Sequence, residues 1–286
     1  MTSLLAPPRY RPVPETSCQQ SLDNWGWAAT STFSVGELDL GVRSSSGQLD
    51  EAVRQLLAPE LRADLKAPAN YSLFQAPRAE PGDPQRLHEL FEGCASRWRA
   101  RSAAELVTVL LLQLEGQRLR QQSEVIALSA VVLVTAAGAV VVPTGYRQPF
   151  LEAAPILRRD GALLWPACTV GLDPSTGEIV LPAPALALDG SAWPAIARLD
   201  NGPPRELPVP GRYPLAGWLP LLWRPPERPM TRGQAVLGAY PAIVNLDLIG
   251  AERALRALAR AVAAPLRPLL IEGDTRLAIR RAVLGR

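Results

Sequence analysis

Residues 125–142, VIALSAVVLVTAAGAVVV, run for eighteen positions without a charge. That length is close to what a helix needs to cross a bilayer, so the segment either spans a membrane or lies inside a protein core. Its composition points to the core. Valine is abundant, and β-branched side chains pack well on a pleated surface. TAAG at 135–138 then interrupts the run with small residues that turn easily. The expectation is a strand, a turn and a second strand in a buried sheet, with no membrane span.

The chain continues as AVVVPTGYRQPFLEA, residues 139–153, which reads as a buried strand, a glycine turn and a helix. Pro155 must shorten or kink that helix. A strand, a glycine turn and a helix N-terminus form a common phosphate-binding arrangement. A phosphate-cradling loop of that kind reads GxxxxGK[ST]: its glycines let backbone N–H groups wrap the phosphates, its lysine neutralises charge, and its hydroxyl holds magnesium. Here Thr144 stands at the first glycine, Pro149 at the second, Phe150 at the lysine and Leu151 at the hydroxyl. Starting the template at Gly145 puts Phe150 and Leu151 at the last glycine and the lysine. The residues of the turn therefore do not make a P-loop.

Composition narrows the chemistry further. The 286 residues are enough for one large domain or two modest ones. Net charge is +3, and the basic balance comes from arginine without a dense basic run. RWRAR at 97–101 reads as a solvated helix end, so no nucleic-acid partner is expected. Lys66 is the only lysine and His88 the only histidine. Cys18, Cys94 and Cys168 are far apart and form no CxxC pair or Cys/His cluster, so neither a metal site nor a disulfide framework is expected. The opening MTSLLAPPRYRP lacks the charged start and apolar run of a signal peptide. Together these features lead to the expectation of a reducing, cytoplasmic setting.

Periodicity places the remaining elements. Residues 1–24 read as an irregular proline-rich arm, and STFSV (31–35) and ELDLGVR (37–43) as strands on either side of Gly36, where a phase change suggests a bulge or a turn. Leu49, Val53, Leu56 and Leu57 share a helical face, and Pro59 stops that helix. NYSLFQ (70–75) is a strand and 76–84 a loop. A helix is predicted at 84–98, with Leu87, Leu90, Phe91, Cys94 and Trp98 as its apolar stripe. Ser102 and Glu105 then form a capping box for a helix at 103–120. ALLWPACTVGLD (162–173) is further strand, and DPSTGEIVLP (173–182) a turn and strand. The proline-rich region 182–229 reads as edge strands and loops. Helices close the chain at 231–240, 250–263 and 274–284, with Thr231 and Asp274 as N-caps.

GLDPSTGEIVLPAPALALDG (171–190) is the most specific piece of a wider pattern. The run from Ser129 to Asp189 resembles the core of HPr kinase-like proteins, relatives of the phosphoenolpyruvate-carboxykinase-type ATP-binding fold. It is most similar to the branch that accompanies peptide-modifying systems, including lasso-peptide kinases. STFSVGELDLGVRS, a helix and NYSLF are similar to that branch's N-terminal region, and PLAGWLPLLWRPPERPMTRGQAVLGAY (214–240) to the strand and helix after its core, so that about 30–286 is covered. The resemblance implies an α/β protein whose core, at 123–286, has a mixed β-sheet and flanking helices. A smaller α+β region at 1–122 precedes that core.

The departures bear on activity. Where the family has a histidine before its first core strand, this chain has Leu128-Ser129. The P-loop is replaced by Thr144, Gly145, Tyr146, Arg147, Pro149, Phe150 and Leu151. Where a serine and two acidic residues close the next strand and supply metal binding and the catalytic base, Pro166, Ala167 and Cys168 stand instead. Phosphoryl transfer depends on positioning and on lysine and metal electrostatics, and loss of one such donor costs about a hundredfold. The resemblance therefore implies a pseudokinase with no catalytic residues, no cofactor and no metal. Such a protein acts by binding a protein or peptide partner, as a scaffold or regulatory subunit in a peptide-modification pathway. HPr kinases oligomerise, which implies a homo- or hetero-oligomer. An active kinase or transferase with a non-standard nucleotide site, with Lys66 reaching in, is the alternative, as is a small-molecule sensor.

Four residues are candidates for partner contact: Tyr146 and Arg147 in the turn, and Trp218 and Trp223 in the apolar segment 203–229. The competing readings are an exposed loop without a ligand for the first pair and core packing for the second. His88 opens HELFE without the second histidine of a metalloprotease helix, and reads as a solvated helix residue. Asp173 reads as an Asx-type turn and Cys168 as a buried structural thiol.

Overall fold

The computed structural model describes residues 20–65, 67–77, 87–200, 202–222, 228–263, 265–270 and 274–285. They form two compact units. One contains the described residues up to Gln121 together with Ala183–Glu206; the other contains Gln122–Pro182 and the described residues from Leu207 onward. The architecture is mixed α/β with several sheets. Among the described residues no helix is long and apolar enough to cross a membrane.

The first unit opens with a helical turn at 20–23, where an irregular arm was expected. A hairpin of β1 (Ala29–Val35) and β2 (Leu38–Ser44) follows, so that of the two readings of Gly36, bulge or turn, the turn applies. Helix α1 (Gly47–Leu56), capped by Ser46, buries Leu49, Val53 and Leu56 as its periodicity requires. β3 (Ala69–Phe74) adds in parallel to β2, with β4 (His88–Glu92) and β5 (Ala95–Ala100) beyond it, giving a five-stranded sheet in the order β1-β2-β3-β4-β5.

The predicted helix at 84–98 is thus a hairpin. Its apolar residues also satisfy a strand pairing: Leu90 sits opposite Trp98 and His88 opposite Ala100. The deciding residue is Gly93, whose φ of +56° opens a tight loop between Glu92 and Ala95. RWRAR is likewise a strand and its exit, not a helix end. His88 is 0% exposed, and its Nδ1 accepts the Ala76 N–H at 3.1 Å. Burial holds its pKa below the usual histidine value, against the opposing pull of Asp200, the Arg101 backbone and Glu105.

Helix α2 (Ala103–Leu119) is apolar nearly all round and lies in the core of this unit. Ser102 caps it as expected, accepting the Glu105 N–H. The reciprocal half of the expected capping box is absent, because the Glu105 carboxylate turns inward to accept Trp98 Nε1 at 2.7 Å and Arg205 Nε at 3.0 Å.

The chain then enters the second unit. The charge-free run forms β6 (Ile126–Ser129), β7 (Val131–Thr135) and β8 (Gly138–Val142), all buried or nearly so. The strand-turn-strand expectation holds, with β6 as an additional strand. Helix α3 (Gln148–Arg159) follows the 143–147 turn and contains Pro155. β9 (Leu163–Leu164), β10 (Thr169–Leu172) and β11 (Ile179–Leu181) come next.

Residues 183–206 return to the first unit. They carry α4 (Trp193–Ala197), a helix the proline content concealed. Glu115 on α2 accepts the N–H groups of Ala185 and Leu186 at 2.7 and 2.9 Å, and Asp200 accepts from Ser102 Oγ at 3.0 Å. The remaining strands are β12 (Gly211–Tyr213), β13 (Leu215–Trp218), β14 (Leu221–Leu222) and β15 (Leu269–Leu270). The sheets of the second unit run β12-β11-β10-β6, β13-β8-β7-β9 and β14-β15, so β12 and β13 are edge strands as expected. Helices α5 (Arg232–Ala239), α6 (Leu246–Ile249), α7 (Ala251–Ala261) and α8 (Thr275–Leu284) complete the chain, with Thr231 and Asp274 as N-caps.

Gly138 begins β8 with φ +125°, and a Cβ there would lie 2.2 Å from the Pro214 carbonyl oxygen. Both the conformation and the backbone contact resist a side chain. Gly138→Ala is expected to lower stability by more than about 1 kcal/mol, read from the urea midpoint, whereas Ala substitution at the open position Gly233 costs far less.

Candidate functional site

Two chain segments of the second unit change sheets at one level. β6 leads into β7 across Ala130, and β9 leads into β10 across residues 165–168. The two crossings are joined, with the Ala130 N–H donating to the Cys168 carbonyl at 3.0 Å and Ser129 pairing with Thr169. The turn after β8 ends at the same place. β8 is parallel to β13, and both β8 and β9 are antiparallel to β7, so the carboxyl ends of these three strands lie on one side of the sheet. Carboxyl ends of strands are where open α/β sheets hold ligands.

The structure brings together the residues singled out in the sequence around 129, 144–151 and 166–168. A Cβ on Gly145 would lie 3.8 Å from Ser129 Oγ. The Arg147 guanidinium donates to the Trp165 carbonyl at 2.6 Å and to the Ala167 carbonyl at 2.7 Å, with Cys168 Sγ 3.9 Å away. Arg147 is 3% exposed. It is therefore an internal tie between the turn and the β9–β10 crossing, not the exposed loop residue of the sequence reading. Two hydrogen bonds from a charged fork to backbone carbonyls are strong and directional. Tyr146 is 46% exposed.

Several of the turn's own N–H groups are already bonded within it. The Tyr146 N–H donates to Thr144 Oγ1 at 3.0 Å, and the N–H groups of Phe150 and Leu151 both go to the Arg147 carbonyl. Pro149 has no N–H to give. Phe150, at the lysine position, is wholly buried. The N–H groups of Tyr146, Phe150 and Leu151 are thus committed within the turn and the helix start, and position 149 supplies none. Among the described residues no group of three or more His, Cys, Asp or Glu side chains gathers in a way that would hold a metal ion.

The other candidates resolve individually. Trp218 is 0% exposed in β13, so the core reading applies to it. The indole N–H groups of Trp165 and Trp218 are buried without an acceptor among the described residues. Trp223 and Lys66 lie outside the described residues, as does Cys18. Cys168 is buried. Asp173 makes the expected Asx turn, accepting from the Ser175 hydroxyl at 2.6 Å, the Ser175 N–H at 2.7 Å and the Thr176 N–H at 3.1 Å. The sequence reading missed its partner Arg212, which reaches it from β12. Hydrogen bonds from Ser175, then from Arg212, hold the Asp173 carboxyl well below the usual aspartate range.

Comparison of the chain with protein-family models, curated proteins and solved structures finds no match to any of them.

Replacing Arg147 with Ala leaves two buried carbonyls without their donor. The expected cost is about 2 kcal/mol or more by urea unfolding, with Lys restoring only part because it lacks the fork. The exposed Gln148→Ala is expected to stay within about 0.5 kcal/mol. Asp173 gives a pH signature. Its folded pKa lies below the unfolded value of about 3.9, so its contribution is complete above that value and is lost as pH falls toward the folded pKa. The stability gap between wild type and Asp173→Asn should be widest above about pH 5 and narrow toward about pH 2.

Proposed function

We propose that the chain is a non-catalytic HPr kinase-like protein that works by binding, as a scaffold or regulatory component of a peptide-modification system. The observation that carries this reading is the buried Arg147. In the resemblance to that family, residues 144–151 stand where the phosphate loop would be, and 166–168 where a serine and carboxylates would hold metal and take the substrate proton. A guanidinium from the first segment is bonded to the backbone of the second. A cation fixed to neutral carbonyls replaces the lysine, hydroxyl and carboxylates that phosphoryl transfer needs. The turn's own hydrogen bonds act in the same direction, because they occupy the N–H groups of Tyr146, Phe150 and Leu151.

A protein of this kind recognises a partner through its surface. Tyr146, at the tip of the turn, is the exposed member of the original candidates there. Calorimetry and thermal shift with ATP and magnesium test the reading. No heat and no shift are expected. Saturable binding without turnover would favour a small-molecule sensor, and phosphate transfer to a peptide would overturn the proposal in favour of an active kinase.

A further inference from the structure

Helix α7 presents Arg253, Arg256 and Arg260 on one side, while Ala254, Leu258 and Ala261 are buried on the other. With Glu252, Pro174 and Ser175, the three arginines line an open cleft of about 460 Å³ between the helix and the Asp173 turn. Its walls are anchored at both ends. Arg260 donates to the Pro174 carbonyl at 2.8 Å and Arg253 to the Ser123 carbonyl at 2.9 Å. A guanidinium has five N–H donors, so these contacts orient the two groups without exhausting them. Between them Arg256 pairs with Glu252, and their side chains are 73% and 78% exposed. An ion pair that exposed is readily exchanged for another anion.

The dimensions select the ligand. A helix rises 1.5 Å per residue, so the row from Arg253 to Arg260 covers about 10 Å, more than one phosphate can bridge. In an extended peptide, alternate side chains lie about 6.6 Å apart on the same side. The rise from Arg256 to Arg260 is about 6 Å. Carboxylates at alternate positions of an extended chain therefore match the Arg256–Arg260 step, while Arg253, about 4.5 Å further back along the axis, lies within reach of a flexible neighbouring side chain. Among the described residues the cleft lining contains no aromatic side chain on which a base could stack, which disfavours single-stranded nucleic acid. We propose that this cleft binds an extended acidic peptide segment, its carboxylates facing the α7 arginines. None of residues 143–147 lines this cleft, so the proposal does not rest on whether that turn binds a nucleotide.

The test is fluorescence anisotropy of labelled octa-glutamate and octa-glutamine peptides with the 286-residue chain. The acidic peptide is expected to bind saturably and to weaken with added salt, and the neutral one to stay unbound. Arg256→Glu should weaken binding by about tenfold or more, since it places like charges together. Glu252→Gln removes the competing carboxylate and should tighten binding. Circular dichroism establishes that both exposed substitutions leave the fold intact, and Glu252→Gln decides the question if the arginine variant unfolds. Equal binding of the two peptides, or indifference to Glu252→Gln with a folded and equally indifferent Arg256→Glu, would overturn the proposal. So would tighter binding of a single-stranded oligonucleotide through the same arginines, or binding of inorganic phosphate with the acidic peptide silent.

Discussion

The second unit depends on the burial of a continuous uncharged segment. Residues 125–142 offer no side-chain charge to water, so β6, β7 and β8 must each be covered. They are covered by being divided: β6 joins one sheet, β7 and β8 another, and Ala130 is the pivot. That division creates the crossing where the β9–β10 connection and the 143–147 turn meet. A crossing of this kind breaks the regular ladder and leaves backbone carbonyls to be satisfied. The Arg147 fork meets that requirement at Trp165 and Ala167, so the most polar side chain of the turn serves the interior.

The first unit handles buried polarity by another route. Its central helix α2 has few solvent-facing positions, yet it carries Glu105 and Glu115 into the interior. Each carboxylate receives a segment from 183–206: Arg205 at one end, and the backbone of Ala185 and Leu186 at the other. Buried carboxylates are tolerated when they are paired and hydrogen-bonded. Here the pairing also fixes which distant stretch of chain packs on the helix. The same neighbourhood holds the His88 pKa below the ordinary histidine value, since burial outweighs the acidic groups that would favour its protonation.

Patterns that rest on local chemistry were legible in the sequence. The Gly36 hairpin, the Ser102, Thr231 and Asp274 caps, the Asx turn at Asp173 and the turn joining β8 to α3 each follow from a few adjacent residues. The hairpin at 88–100 was not legible, because residues three and four apart in HELFEGCASRW fit a helical stripe as well as a strand pair; only the conformation of Gly93 separates the two. Long-range partners were also hidden. Arg212 meets Asp173 from 39 positions away, and Arg205 meets Glu105 from 100. The row of arginines on α7 was written plainly in AERALRALAR, but its significance needed the Asp173 turn placed opposite it.

The return of 183–206 has a consequence for synthesis. A chain emerging from the ribosome presents α2 long before the segment that receives its two carboxylates. By the time Arg205 is added, the whole of 122–182 has already been made. Until then Glu105 has Trp98 and Glu115 has Arg118 as partners already made, but each lacks the contacts that 183–206 brings, while most of the strands of the second unit are translated. Domains generally fold in the order they are made; in this protein the earlier half finishes only after the later half is well begun.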